Sequence, residues 1–250
     1  MKDSAKIAMN EIDERLKTEE VDNDDLLKGH RIDQHDDMLQ NNYVNLVLGE
    51  NVISKILSFA SANNKNNYRE YGTYFYGKMI GNIIHITGYT GTDFEMSDGV
   101  YSKGAVAVTK KNLQEIEILT SKIENPYNVV IHFHTHPDYV KDSNGQLIKP
   151  SSNLFSENDL YSYAYHQVYM QHKNNPVVYI GGMSSNKDGI PEINFVFYDI
   201  DKKAFWNINN IYYFLKGNLC KLEAGSLVEA KVVDEETKEY IDKKIGRIIR

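Results

Sequence analysis

The stretch "VVIHFHTHPDYV", residues 129–140, decides how the chain reads. It opens on apolar and β-branched residues, carries histidine at every second position from His132 to His136, and then meets a proline. The apolar start predicts a strand buried on both faces, and Pro137, which has no N–H to give to a ladder, predicts where that strand ends. Side chains alternate along a strand, so His132, His134 and His136 share one face. On these residues alone two readings stand open. His134 and His136 are metal ligands at a strand exit, or they are packed histidines with satisfied hydrogen bonds. His132, deeper in the strand, reads as packed.

Upstream, "GENVISKILSFASANN" (49–64) puts Val52, Ile53, Ile56, Leu57 and Ala60 on one helical face. "EYGTYFYGKMI" (70–80) and "NIIHITGYTGT" (82–92) read as strands joined at Gly81 and Asn82, two residues that tolerate positive φ. "GAVAVT" (104–109) is a strand, and a helix over about 110–122 turns Leu113, Ile116 and Ile123 toward the core. Downstream, Ser156 as N-cap with Asp159 at the third helical position starts a helix in "SENDLYSYAYHQVYMQHK" (156–173). "PVVYIGGM" (176–183) and "EINFVFYDI" (192–200) are further strands. The order predicts an α/β domain, a mixed central β-sheet flanked by helices.

Three segments follow from composition. Residues 1–42 form an acidic appendage, with six basic against twelve acidic side chains in the first forty residues and no aromatic. Ala5, Ala8, Ile12 and Leu16 fit a short amphipathic helix within it. Residues 43–205 form the domain, and 206–250 a C-terminal helical extension around "DEETKEYIDKKIGRIIR" (234–250), which has acids in its first turn and bases in its last. Cys220 is the single cysteine, so internal disulfides and thiolate-rich zinc sites are excluded and any metal must be held by His and carboxylate. The net charge of -7 argues against nucleic acid as a partner. No apolar run is long enough for a bilayer, and the first residues lack a signal-peptide core, which predicts a cytoplasmic protein without a membrane partner.

Asp159 adds a third donor to the histidine pair, because a strand end and a helix start can face each other across a loop. His, His and Asp make a nitrogen and oxygen set suited to Zn²⁺, with one position left for water. Glu70, at the head of a strand, is either the carboxylate that such a water needs or an exposed charge at a strand end.

Taken in order, Glu70, His134-Thr135-His136-Pro137 and Ser156-Glu157-Asn158-Asp159 resemble the signature of the JAMM, or MPN-plus, metalloproteases: a glutamate on an early strand, then H-x-H-P, then S-x-x-D. The spacing of Glu70, Gly72 and Gly77 is similar to that of the bacterial branch, and the likeness spans roughly residues 43–200. The resemblance implies the MPN (JAMM) fold and one Zn²⁺ held by His134, His136 and Asp159. It implies that Glu70 deprotonates a water and returns the proton to the departing amine. Ser156 would donate to the oxyanion, a role that competes with helix capping. The implied activity is hydrolysis of peptide or isopeptide bonds at the C-terminus of a ubiquitin-like modifier or its conjugate, with a further protein partner held through the terminal appendages. The alternative is a non-catalytic MPN-type assembly module in a multiprotein complex.

One departure from the family pattern matters. Residues 138–155 make the gap between Pro137 and Ser156 longer than usual, and Asn144-Gly145 between Val, Leu and Ile predicts a β-hairpin at the site mouth. Asp138 is a reserve ligand. "HTHPD" also fits the opening of the metallo-β-lactamase motif, but that motif needs His next, where this chain has Tyr139.

Overall fold

The structure is a computed structural model, described here for residues 39–65, 70–96, 106–121, 127–136, 140–141, 146–148, 155–172, 177–187, 190–223 and 226–248. The expectations for residues 1–38, Ile123, Pro137, Asp138 and the Asn144-Gly145 turn lie outside the described residues.

Strand β1 (Leu39–Leu48) leads into helix α1 (Glu50–Lys65), then the hairpin of β2 (Gly72–Ile80) and β3 (Ile83–Tyr89). Gly81 takes the turn with φ of 61°, as a tight hairpin requires. Short β4 (Glu95–Met96) and β5 (Val106–Ala107) pair before α2 (Lys110–Thr120), whose N-terminus is closed by a Thr109/Asn112 capping box. The histidine strand is β6 (Val129–Thr135). In the insertion, β7 (Val140–Lys141) and β8 (Leu147–Ile148) pair antiparallel, as the sequence predicts. Helix α3 (Glu157–His172) follows, then β9 (Val178–Lys187), β10 (Ile190–Asp199), β11 (Ala204–Leu215), β12 (Asn218–Glu223), β13 (Ser226–Val232) and α4 (Glu235–Ile248).

The expected MPN (JAMM) α/β fold, a mixed central β-sheet flanked by helices, is corrected by the topology. The sheet closes into a mixed β-barrel in the order β1-β11-β12-β13-β10-β9-β6-β2-β3, with β3 paired back to β1. A direct β10–β11 pairing shortens the circuit to seven strands, with β12 and β13 as an outward loop. Two unread segments cause the closure. β1, "LQNNYVNLVL", begins inside the expected 1–42 appendage and pairs in parallel with both β3 and β11. β11, "AFWNINNIYYFL", straddles the expected boundary at 205, so residues 206–232 are barrel strands and their turns rather than a helical extension. Asparagines in both segments break the apolar alternation that marks a strand, while pairing on both sides overrides that weak local preference.

Three clusters show how the barrel is filled. Inside, Val52, Ile53, Ile56 and Phe59 of α1 pack with Leu46, Phe75, Ile131, Phe133, Ile180 and Ile211 from around the ring. Phe59 replaces the expected Leu57, which is exposed. On one outer face, Tyr74, Val130, Tyr179, Met183 and Val196 meet Ile116 of α2 and Leu160, Tyr163 and Ala164 of α3. On the other, Ile241 and Ile245 of α4 cover Val47, Ile83, Tyr212 and Leu219. β6 therefore has its odd residues inside and its even residues, the histidines, beneath α3.

Candidate metal centre

β6 and β9 are parallel neighbours, and α3 is part of the crossover between them. Such a connection brings the start of its helix back toward the carboxyl end of the first strand, where ligands gather in α/β units. Here it brings Asp159 to His134 and His136. One donor atom from each of the three lies within 4.8 Å of the others. The Nε2 atoms of His134 and His136 are 2.9 Å apart. Asp159 Oδ2 is 3.2 Å from His136 Nε2, and Oδ1 is 3.4 Å from His134 Nε2. Donors placed about 2.0–2.1 Å from a tetrahedral zinc stand about 3.3 Å from one another. The donor set and its spacing fit a metal ion.

Electrostatics point the same way. Burial works to lower the His134 pKa, yet the hydrogen bond and charge of Asp159, joined by the charge of Glu70, raise it above the ordinary histidine value. Burial works to raise the Asp159 pKa, and hydrogen bonds and charge from both histidines outweigh it and hold the carboxyl far below its usual range. The balance of these effects favours positive charge at this point.

Each ligand is anchored behind. Ser156 donates its backbone N–H and its hydroxyl to Asp159 Oδ2, both at 2.7 Å, and Asp159 N–H donates to Ser156 Oγ at 3.2 Å. The predicted cap is formed, and its hydroxyl is committed to the carboxylate. Tyr163, one turn beyond Asp159, places Oη 3.2 Å from His134 Nδ1, so that Nε2 faces the donor group. Tyr163 reaches this position because β9 has Gly181 beneath it: a Cβ there would lie 2.1 Å from the Tyr163 ring. Gln167 docks the same helix on β9 by accepting from Tyr179 N–H at 2.7 Å.

His132 is packed, as predicted. Its Nδ1 meets Tyr179 Oη at 3.0 Å, which in turn lies 3.3 Å from Tyr74 Oη, and burial followed by the charges of His134 and His166 hold its pKa well below the ordinary value. Glu70 is half-buried at the entry to β2. Thr135 N–H donates to Tyr71 O at 2.8 Å and Tyr71 N–H to Thr135 Oγ1 at 2.9 Å, which ties Tyr71, and with it the neighbouring Glu70, to the carboxyl end of β6. Its charge reaches His134 and Tyr163. All five expected site residues thus come to one end of β6.

Sequence reading passed over Tyr163 and Gly181. Both carry a signal: Asp159 and Tyr163 are four apart on one helix, and a glycine inside an apolar strand marks a close approach. Among the described residues, no helix is long and apolar enough to cross a membrane. No protein-family model matches the chain, and no curated protein matches it. The likeness to the JAMM metalloproteases is carried by Glu70, H-x-H-P and S-x-x-D alone.

Proposed function

We propose that the protein is a zinc-dependent hydrolase of peptide or isopeptide bonds, with ubiquitin-like modifiers or their conjugates as the first substrate class to test. The reading rests on one observation, the convergence of the donor atoms of His134, His136 and Asp159. Among the described residues the group has three protein donors, and His136 and Asp159 are partly open to solvent, which suits a catalytic site better than a closed structural one. A bound zinc supplies Lewis acidity toward a carbonyl and lowers the pKa of water toward neutrality. Glu70 is the carboxylate placed to take a proton from the attacking water and to return it to the departing amine. Ser156 orients Asp159, and Tyr163 orients His134. The motif likeness to JAMM enzymes supports the substrate class; the barrel is no part of that likeness.

The test is elemental analysis of the purified chain, followed by a panel of ubiquitin-like fusions incubated with and without chelator. One zinc per chain and chelator-sensitive cleavage are expected. Absence of stoichiometric metal, or cleavage indifferent to chelator, overturns the reading.

A further inference from the structure

A short row of residues lies along the barrel wall at the mouth of the site. His136 N–H donates to Ser184 O at 2.7 Å, the parallel-ladder bond that sets His136 beside Ser185, and Glu70 lies two residues before Gly72, the partner of His134. Ser185 pairs in turn with Glu192 of β10. The next rung inward is Gly72, His134, Met183 and Asn194. Alternation places Ser185 on the face of Gly181 and Met183, the face that packs against Tyr163.

Ser185 is 3% exposed, and its Oγ has no hydrogen-bond partner among the described residues. A buried hydroxyl left in this state costs free energy that alanine would avoid, and such orphans in folded proteins call for a reason. Of the nearby hydroxyls, Ser156 Oγ–H is committed to Asp159, while Thr135 Oγ1 accepts from the N–H of Tyr71. Ser185 retains its donor.

We infer that Ser185 Oγ–H is a substrate-binding group that donates to the carbonyl oxygen of a substrate held at His134, His136 and Asp159. This rests on the hydrolase reading and moves to Ser185 the role that the motif likeness gave to Ser156. Ser185 flanks His136 from β9, and Glu70 enters the same end of β6 ahead of β2. A carbonyl held beside His136 then has a hydroxyl for its oxygen, with the Glu70 carboxylate at the same mouth for the attacking water.

The test uses the full zinc-loaded chain and acetohydroxamate as the probe, a small ligand that brings a carbonyl oxygen to zinc. Ser185→Ala is expected to bind zinc like the wild type and to melt, metal-free, at the same or a higher temperature. It should bind acetohydroxamate about tenfold more weakly, the loss of one hydrogen bond. Ser185→Cys, similar in shape and a weaker donor, should fall between. Unchanged acetohydroxamate affinity in both variants, with zinc binding intact, overturns this inference and leaves the hydrolase reading standing. A lower melting temperature for Ser185→Ala also overturns it, because the hydroxyl then has a structural partner. A wild-type chain that binds no zinc overturns the hydrolase reading and this inference with it.

Discussion

Ser156 gives both its N–H and its hydroxyl to the same oxygen of Asp159, at 2.7 Å each, so a single residue caps α3 and aims a ligand. Ser156→Ala should cost about 1 kcal/mol in stability through the lost cap. It should weaken zinc binding by about 10–100-fold through the loosened carboxylate. At saturating zinc, kcat should stay near the wild-type value. A drop in kcat with zinc affinity unchanged would instead place the hydroxyl on the substrate; zinc titration beside steady-state kinetics separates the two.

Glu70 lies outside the three-donor group, close enough for its charge to act on His134. Glu70→Gln keeps the shape and removes the base. Zinc stoichiometry should be retained while cleavage falls by about 10²–10⁴-fold, the usual weight of a general acid–base group. A fully active Glu70→Gln protein would remove Glu70 from the mechanism.

Tyr163 and Gly181 form one device. Gly181→Ala forces a methyl group to within 2.1 Å of a fully buried ring, and overpacking of this kind costs about 1–3 kcal/mol. Tyr163→Phe removes only the hydroxyl that meets His134 Nδ1. It should leave the fold intact and weaken zinc binding by about 10–100-fold, as for other groups that orient a histidine ligand. Competition with a chromophoric chelator measures both variants.

Metal-free stability should fall on acidification. Burial holds His85, His132 and His166 below the ordinary histidine value near 6.5. Below that pH the unfolded chain takes protons that the folded chain refuses, so these groups lose stability as pH drops. His134, raised by Asp159 and Glu70 against the effect of burial, has the opposite sign: its contribution is complete below 6.5 and is lost as pH rises through its folded value. The lowered Asp159 contributes above the ordinary carboxylate range and loses that contribution only in stronger acid. Three histidines against one decide the sign, and thermal unfolding in chelator should show a lower Tm at about pH 5 than at about pH 7. Zinc must displace the proton of His134, so zinc affinity should fall about tenfold per pH unit below the His134 pKa.

A chain ended at residue 205 tests the barrel. β11 pairs with β1, β10 and β12, so the truncation removes the strand that joins the two ends of the sheet. It also exposes Leu46, Leu48 and Phe195, which pack with the lost Ile211 and Tyr213. The truncated chain should fail to unfold cooperatively; a sharp thermal transition would mean that residues 206–250 are dispensable after all.

Local pattern carried most of the elements. The β2–β3 hairpin, α1, β6, α3 and α4 all lie close to where spacing and caps put them, because each has an apolar face of its own or a terminal signal. β1 and β11 have neither: asparagines interrupt both, and their stability comes from each other and from β3 and β10. Closure is a property of pairing partners far apart in the chain, which periodicity does not encode. The site was legible for a related reason. His134 and His136 are two apart on a strand, and Ser156 and Asp159 three apart at a helix start, so local geometry fixes each pair. Ser185 was not, because its place beside His136 depends on the β6–β9 register.

A closed ring has no rim strand to offer. The seven strands of the ring each have a hydrogen-bonded neighbour on both sides. A partner polypeptide that docks by extending a sheet, the common route by which extended segments are held, needs an edge outside that ring. Among the described residues, such edges belong to β13, which meets β10 only at Ser226 and Glu192, and to the two small ribbons, β4–β5 and β7–β8. The second lies in the chain between His136 and Ser156, within the stretch that departs from the family spacing. Main-chain recognition, where it occurs, falls to these edges, while the closed ring keeps the histidines fixed.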